Sequence, residues 1–412
     1  MRNRHPELLI PASSLEVLKT AVMFGADAVY IGGEAFGLRA KAKNFSMEDM
    51  KEGVQFAHEH GARVHVTVNI LAHNDDLEGA AEYLKELKEI GPDALIIADP
   101  AIFMLAKEIC PEIERHVSTQ ANNTNYGTFN FWWNLGAKPV VTARELSLKE
   151  IREIRAHIPA EMEIESFIHG AMCISYSGRC LLSNFFTGRD ANQGACTHPC
   201  RWKYSVVEET RPGEYMPVYE NERGTYIFNS KDLCMIEHIP EMIDAGIDSF
   251  KIEGRMKTAL YVATVARTYR KAIDDYLEDP KKYEANMPWY RDQISNCTYR
   301  QFTTGFYFGK PGDESQIYDS NTYIKEYTYL GIIGGIKDGM YRIEQRNKFS
   351  VGETVEIMKP DGQNVEVTVE KIVDEDGQEQ ESAPHPKQVL YVALSGEASV
   401  YDILRRQEGV TE

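Results

Sequence analysis

The sequence predicts a parallel (β/α)8 barrel carrying a cysteine-rich insertion, followed by a small all-β domain. Three observations predict it. Over residues 1–280, short apolar β-rich runs alternate with amphipathic helical stretches. Strands that are apolar through their length, each followed by a helix, imply a parallel sheet covered by helices. Beyond residue 325 the helical period gives way to short strands separated by Asp-Gly turns.

The strands are expected at 7–12, 27–32, 63–69, 94–99, 115–120, 139–143, 163–168 and 249–253. Helical patterns lie between them, as at 14–24, 47–60, 77–90 and 148–157. Gly25, Gly61, Gly91, Gly136, Pro159 and Gly246 punctuate the returns to a strand. Eight units over roughly 250 residues fit a closed barrel better than an open doubly wound sheet, which is the alternative. A ninth candidate at 225–229 is placed in the insertion. The predicted domains are a barrel at 1–280 with an insertion at 169–228, an irregular linker at 281–325 and a small β-barrel or sandwich at 326–412. Five strands are expected in the last, at 329–336, 340–345, 354–358, 364–372 and 389–394, with 374–387 as a loop.

The net charge is −18 and the pI about 5.2. That balance argues against polyanion binding by the whole surface, so any nucleic-acid contact must come from a local patch. Residues 1–11 hold no apolar signal core. No apolar run approaches the ~18 residues of a membrane span. The expectation is a cytoplasmic protein with no membrane partner.

Seven cysteines, an odd number, make a poor disulfide framework. Cys173, Cys180, Cys196 and Cys200 fall in one glycine-rich stretch with spacings C-x6-C, C-x15-C and C-x3-C. Four thiolates so close can wrap one metal centre, and loop glycines permit backbone approach to sulfide. A zinc site remains open, although zinc usually takes two tight knuckles, and so does the absence of any metal. Cys234 is an alternative ligand, whereas Cys110 and Cys297 are read as structural. The insertion leaves the C-terminal end of a strand, which is the active face of such a barrel.

The strand ends should project Asn69, Asp99, Gln120, Arg144, Glu145, His169, Glu253 and Arg255 towards one opening. That set is too polar for a barrel core. His169 can move a proton, and Glu253 and Arg255 are taken with it as catalytic candidates. Arg144 and Arg255 can bind carboxylates bidentately, and Lys251 can add a point charge. Arg144, Lys251, Asn69 and Gln120 are the substrate-binding candidates. The bland alternative makes Lys251–Glu253 and Arg144–Glu145 structural ion pairs. Between Cys173 and Lys203, Arg179, Arg189, Arg201 and Lys203 face a single acid, Asp190. Tyr176, Phe185, Phe186 and Trp202 offer stacking faces for RNA, or simply pack the insertion.

The run Glu165-Ser-Phe-Ile-His-Gly-Ala-Met-Cys173 and the run Tyr176-Ser-Gly-Arg-Cys180 resemble the signature of the collagenase-like U-32 peptidase family. So do Glu7-Leu-Leu-Ile-Pro-Ala, Gly25-Ala-Asp-Ala-Val-Tyr-Ile-Gly-Gly and Lys251-Ile-Glu-Gly-Arg255. The resemblance spans nearly the whole chain. Asn192-Gln-Gly-Ala-Cys-Thr-His-Pro-Cys-Arg-Trp is most similar to the family's bacterial tRNA branch. The resemblance implies prephenate-dependent hydroxylation of the wobble uridine at C5 to 5-hydroxyuridine. It implies a 4Fe-4S cluster on Cys173, Cys180, Cys196 and Cys200, prephenate as co-substrate, and tRNA as partner. As in some relatives, a paralogous partner subunit is also expected. The competing functions are a peptidase and a non-catalytic accessory subunit. The chain has no G-x-S-x-G elbow and no H-E-x-x-H motif.

Overall fold

The computed structural model describes residues 5–37, 44–173, 175–189, 191–192, 195–202, 205–207, 215–217, 229–297, 301–311, 316–317 and 327–408. Eight parallel strands form the barrel: β1 (Glu7–Pro11), β2 (Ala28–Gly32), β3 (Arg63–Val68), β4 (Ala94–Ile97), β5 (Glu114–Val117), β6 (Pro139–Val141), β7 (Glu163–Gly170) and β8 (Ser249–Ile252); two short strands, Asp232–Cys234 and Phe302–Thr303, extend the same sheet from the end of β7. Neighbours in sequence pair with one another, and β8 pairs with both β7 and β1. That last pairing closes the barrel and excludes the open sheet.

Helices α1 (Leu15–Met23), α2 (Met47–Glu59), α3 (Asp76–Ile90), α4 (Pro100–Ile109), α5 (Tyr126–Leu135) and α6 (Leu148–Ala156) follow β1 to β6. Their starts are written locally. Ser46 Oγ accepts from the Asp49 amide at 3.1 Å, and Ser147 with Glu150 forms a capping box. Asp99, expected at the mouth, caps α4 by accepting from the Ala101 and Ile102 amides.

The chain divides into two compact units. The first is Met1–Lys19, Asp27–Lys257 and Arg300–Thr322, and the second is Thr20–Ala26, Thr258–Tyr299 and Tyr323–Glu412. The boundary expected at 280 therefore falls near 258. Within the second unit, Arg267 explains why. It sits on the helix after β8, and its guanidinium donates to the Lys359 and Gln363 carbonyls at 2.9 and 3.2 Å. The start of the supposed irregular linker is helical, at Pro280–Ala285 and Met287–Ser295. Asp279 accepts from the Lys281 amide and Pro280 takes the first helical position, a strong helix start.

Seven strands build the C-terminal sheet: β9 (Tyr327–Lys337), β10 (Met340–Glu344), β11 (Thr354–Met358), β12 (Asn364–Asp374), β13 (Glu379–Gln380), β14 (Val389–Leu394) and β15 (Ile403–Gln407). Six of them close a small antiparallel barrel in the order β11-β15-β9-β10-β14-β12, with β12 returning to β11. Leu330, Ile333, Ile343, Phe349, Ile357 and Leu404 are in its core. Two of these strands were not expected. β13 lies inside the predicted loop. β15 reads Ile-Leu-Arg-Arg-Gln, too charged for a core strand. Arg405 is nevertheless fully buried, because its Nε reaches Glu356 at 2.6 Å and its guanidinium stacks 4.1 Å from the Tyr327 ring. The candidate at 225–229 falls outside the described residues except for Asn229, which begins a two-residue strand. No helix among the described residues is long and apolar enough to cross a membrane.

The interior of the large barrel is not apolar. Leu9, Ala28, Tyr30 and Ile96 form a small apolar layer. Beside it, on inward-facing positions, are Glu7, Arg63, His65, Glu114, His116, Glu165 and Lys251. Lys251 Nζ contacts Glu165 at 2.6 Å and lies 4.6 Å from the Tyr30 ring centre. The His65 and His116 rings meet edge to face at 4.6 Å. Burial, aided by His116, holds the His65 imidazole neutral, well below the ordinary histidine range. The expectation that a barrel core would exclude polar groups is thus overturned. The charges are tolerated because most face a partner across the barrel.

Glu7 gives this interior a pH signature. Burial pushes its carboxyl up from 4.5 to about 7, against the pull of Arg63. The folded state binds this proton more tightly than the unfolded chain does. Stability should therefore be highest at low pH for this group and fall as pH rises from 4.5 to about 7. Glu7→Gln should flatten that slope and stabilise the protein above pH 7 by at most about 3 kcal/mol, read by denaturant unfolding across the window.

Candidate functional site at the barrel mouth

Strand β7 ends at His169-Gly170, and the cysteine-bearing insertion begins there. Gly170 has φ +108°, and a Cβ would stand 2.4 Å from the Glu253 carbonyl oxygen. Only glycine allows the chain to leave β7 this close to the end of β8.

Arg144, just past β6, organises the opening. Its Nη2 binds Glu253 Oε2 at 2.8 Å, and its Nη1 lies 3.4 Å from Ser177 Oγ and 3.8 Å from Cys173 Sγ. The guanidinium sits 4.0 Å from the centre of the Phe167 ring. Burial works against its charge, yet Glu253 and then Cys173 more than reverse this and raise its pKa above the usual range. Arg144 is therefore a fixed cation joining β8 to the cysteine loop.

The other candidates divide. Arg255 is buried and donates to Thr67 Oγ1 at 2.9 Å. Asn69 Nδ2 lies 3.4 Å from Ser118 Oγ. The side-chain amide of Gln120 is 1% exposed and neither its oxygen nor its nitrogen has a hydrogen-bond partner. A Cβ on Gly178 of the insertion would fall 2.7 Å from that amide nitrogen. Gln120 is thus wedged beneath the loop with its polar end unspent.

Two assignments need correction. Lys251 does not reach the opening. It is buried in the ion pair with Glu165, one inward position below Glu253, because β8 sends alternate residues inward and Lys251 meets β7 there. Of the anticipated structural pairs, neither forms as drawn: Arg144 pairs with Glu253 and Lys251 with Glu165. His169 is 1% exposed, with its ring 5.7 Å from that of Phe302. Burial, with Lys257 nearby, pushes its pKa down to about 3. It is neutral at ordinary pH and is not a group titrating near 7.

The insertion is fastened to the mouth at several points. Besides Arg144 and Gln120, Asn192 exchanges two hydrogen bonds with the Leu71 backbone, at 3.1 and 3.2 Å. Inside it, helix α7 (Leu182–Thr187) is tied to the second cysteine pair, since Ser183 Oγ accepts from the Thr197 amide at 3.0 Å. All four cysteines are free thiols, with Cys173 exposed and Cys180, Cys196 and Cys200 half-buried. The His198 amide donates to Cys196 Sγ at 3.4 Å, and His198 holds a left-handed backbone, φ +55°. Thiols, a facing guanidinium and a backbone amide aimed at sulfur suit a thiolate-bound cluster. No three His, Cys, Asp or Glu side chains among the described residues converge on a point that would hold a metal ion, so the four sulfurs are not drawn onto one centre. Arg179 and Arg189 are exposed. The Arg201 side chain and all of Lys203 lie outside the described residues.

Sequence reasoning missed Phe167, Ser177 and the Asn192 clamp. Phe167 was available from its period-two position between Glu165 and His169. The other two are loop contacts with no pattern to betray them.

A closed (β/α)8 barrel whose C-terminal mouth holds buried charges under a four-cysteine loop has the architecture of a barrel enzyme. The chain belongs to peptidase family U32: the family model matches residues 13–317 and the model of the U32 C-terminal domain matches 325–405. It is 43% identical to tRNA hydroxylation protein P1 of Bacillus subtilis (strain 168), over 98% of this chain and 95% of that one. It is 39% identical to tRNA hydroxylation protein P of Escherichia coli (strain K12), over 92% and 91%. The 23S rRNA 5-hydroxycytidine C2501 synthase of the same E. coli strain is 41% identical, over 66% of this chain and 40% of that one.

Two substitutions separate structure from function here. Lys251→Met strands Glu165 in the core and should cost about 3–5 kcal/mol in denaturant unfolding. Gln120→Leu removes a buried, unsatisfied amide, so stability should hold or rise. If the amide serves a ligand at the mouth, activity should fall in the same variant; a variant both as stable and as active would make Gln120 mere packing.

Proposed function

We propose that this protein hydroxylates tRNA, converting the wobble uridine to 5-hydroxyuridine with prephenate as co-substrate and a 4Fe-4S cluster as cofactor. One observation supports the reading most: similarity over nearly the full length of both chains to proteins named for tRNA hydroxylation. The four-thiol loop fastened over the mouth agrees with it.

Replacing the C5 hydrogen by hydroxyl is a two-electron oxidation, beyond what acid–base side chains achieve alone. Cys173, Cys180, Cys196 and Cys200 would hold the cluster, which supplies electron transfer when bound. The chain's own residues do the positioning. Arg144, already paired with Glu253, presents a guanidinium to an anionic co-substrate; exchange of its partner from Glu253 to a substrate carboxylate would leave Glu253 to take up a proton for the charge to balance. Arg255 offers a second guanidinium at the end of β8. Asn69 and Gln120 present amides to polar edges at the mouth. His169, neutral, accepts or donates a hydrogen bond without changing charge.

The test begins with protein purified without oxygen. About four iron and four sulfide per chain are expected, both lost in a Cys173→Ala, Cys180→Ala variant. Cells lacking the gene and any close paralogue should lose nucleosides derived from 5-hydroxyuridine, and only the wild-type gene should restore them. Retention of those nucleosides in the deletion strain would overturn the reading. Peptide hydrolysis that survives loss of Cys173 would favour a peptidase instead.

A further inference from the structure

We infer that the outer face of the insertion is a base-stacking platform, formed by Phe185, Phe186 and Trp202 and flanked by Arg179 and Arg189, for an unpaired nucleotide of the RNA substrate. The inference rests on the tRNA reading above and adds the surface that receives the RNA.

The first observation is exposure. Phe185 is 81% exposed, and Phe186 and Trp202 are each 45% exposed. Large rings left in water at one place mark an interaction surface rather than a core. The second is arrangement. The Phe185 and Phe186 rings meet edge to face at 5.1 Å, and Phe186 and Trp202 lie 6.2 Å apart at 50°. Two stacking gaps of about 3.4 Å would be needed to slip a base between two rings. At 6.2 Å and tilted, Phe186 and Trp202 are too close for that. A base would therefore stack on an outer ring face, and Phe185 exposes the most. The third is charge. In a chain of net charge −18, the stretch 173–203 carries four arginines or lysines and one acid. Arg179 and Arg189 are exposed, and among the described residues neither has a carboxylate partner. Exposed aromatic faces and exposed guanidinium groups within one short stretch of chain match a base and its phosphate. The fourth is rigidity. The hydroxyls of Ser183 and Thr197, 3.1 Å apart, tie the helix carrying both phenylalanines to the segment leading to Trp202. The platform is thus held in place before RNA arrives, on the insertion that is fastened to the opening into which a flipped target base would pass.

The experiment measures binding of an anticodon stem-loop RNA to the full-length, cluster-loaded protein by quenching of tryptophan fluorescence, and by competition for the variants. Phe185→Ala and Trp202→Ala should each weaken binding roughly 5- to 100-fold. Trp202→Phe, which keeps a ring, should retain most of the affinity. Arg189→Ala should lower the slope of log affinity against log salt by about 1. Because these side chains are exposed, unfolding is checked simply by an unchanged melting curve. Wild-type protein that modifies tRNA while both alanine variants bind the stem-loop with unchanged affinity would sink the platform alone. Wild-type protein that binds no RNA would sink the platform together with the tRNA reading. Alanine variants that lose self-association but not RNA affinity would reassign the face to contact between copies of this chain.

Discussion

The buried guanidinium of Arg144 is the contact on which the mouth depends. It rests on Phe167 of β7, binds Glu253 past β8, and reaches Ser177 and Cys173 in the insertion. One side chain therefore joins two walls of the barrel to the loop that bears the thiols. A charge this deep is tolerable only while every partner stays in place. The same requirement makes it responsive: an anion arriving at the mouth competes with Glu253, and the loop contacts share the consequence. Gly170 makes the arrangement possible, since any side chain there would collide with the backbone of β8.

Most of the barrel was legible because its signals are local. Apolar strand runs, capping hydroxyls and left-handed glycines at helix ends each act over a few residues. What was hidden depends on partners far apart in sequence. Arg405 looks incompatible with a strand until Glu356 and Tyr327 are seen beside it. Lys251 looks like a ligand for a substrate until Glu165 is found opposite. Strand ends located Asn69, Gln120, Arg144 and Arg255 near the opening, because the C-terminal edge of a parallel barrel collects such residues. Which cation meets which carboxylate is set by register between strands, and the sequence has no short-range sign of it.

The polar interior deserves comparison with the small barrel at the C-terminus. There, closure is achieved with an apolar core and the buried Arg405–Glu356 ion pair between neighbouring strands. In the large barrel, charged residues from several strands share the centre with only a thin apolar layer. Burial leaves His65 and His169 both neutral. It shifts Glu7 in the opposite sense, towards keeping its proton. The outcome is a core with fewer net charges than its residue names suggest.

The insertion has two sides with different obligations. Its inner side is committed by Gln120, Arg144 and Leu71, and changes there loosen its hold on the mouth. Its outer side leaves Phe185, Phe186 and Trp202 exposed. Mutations can accumulate on that outer side without cost to those inner contacts. A protein built on this plan can thus vary the face it turns to solvent while inheriting the mouth unaltered, so divergence on one side of a loop need not imply divergence on the other.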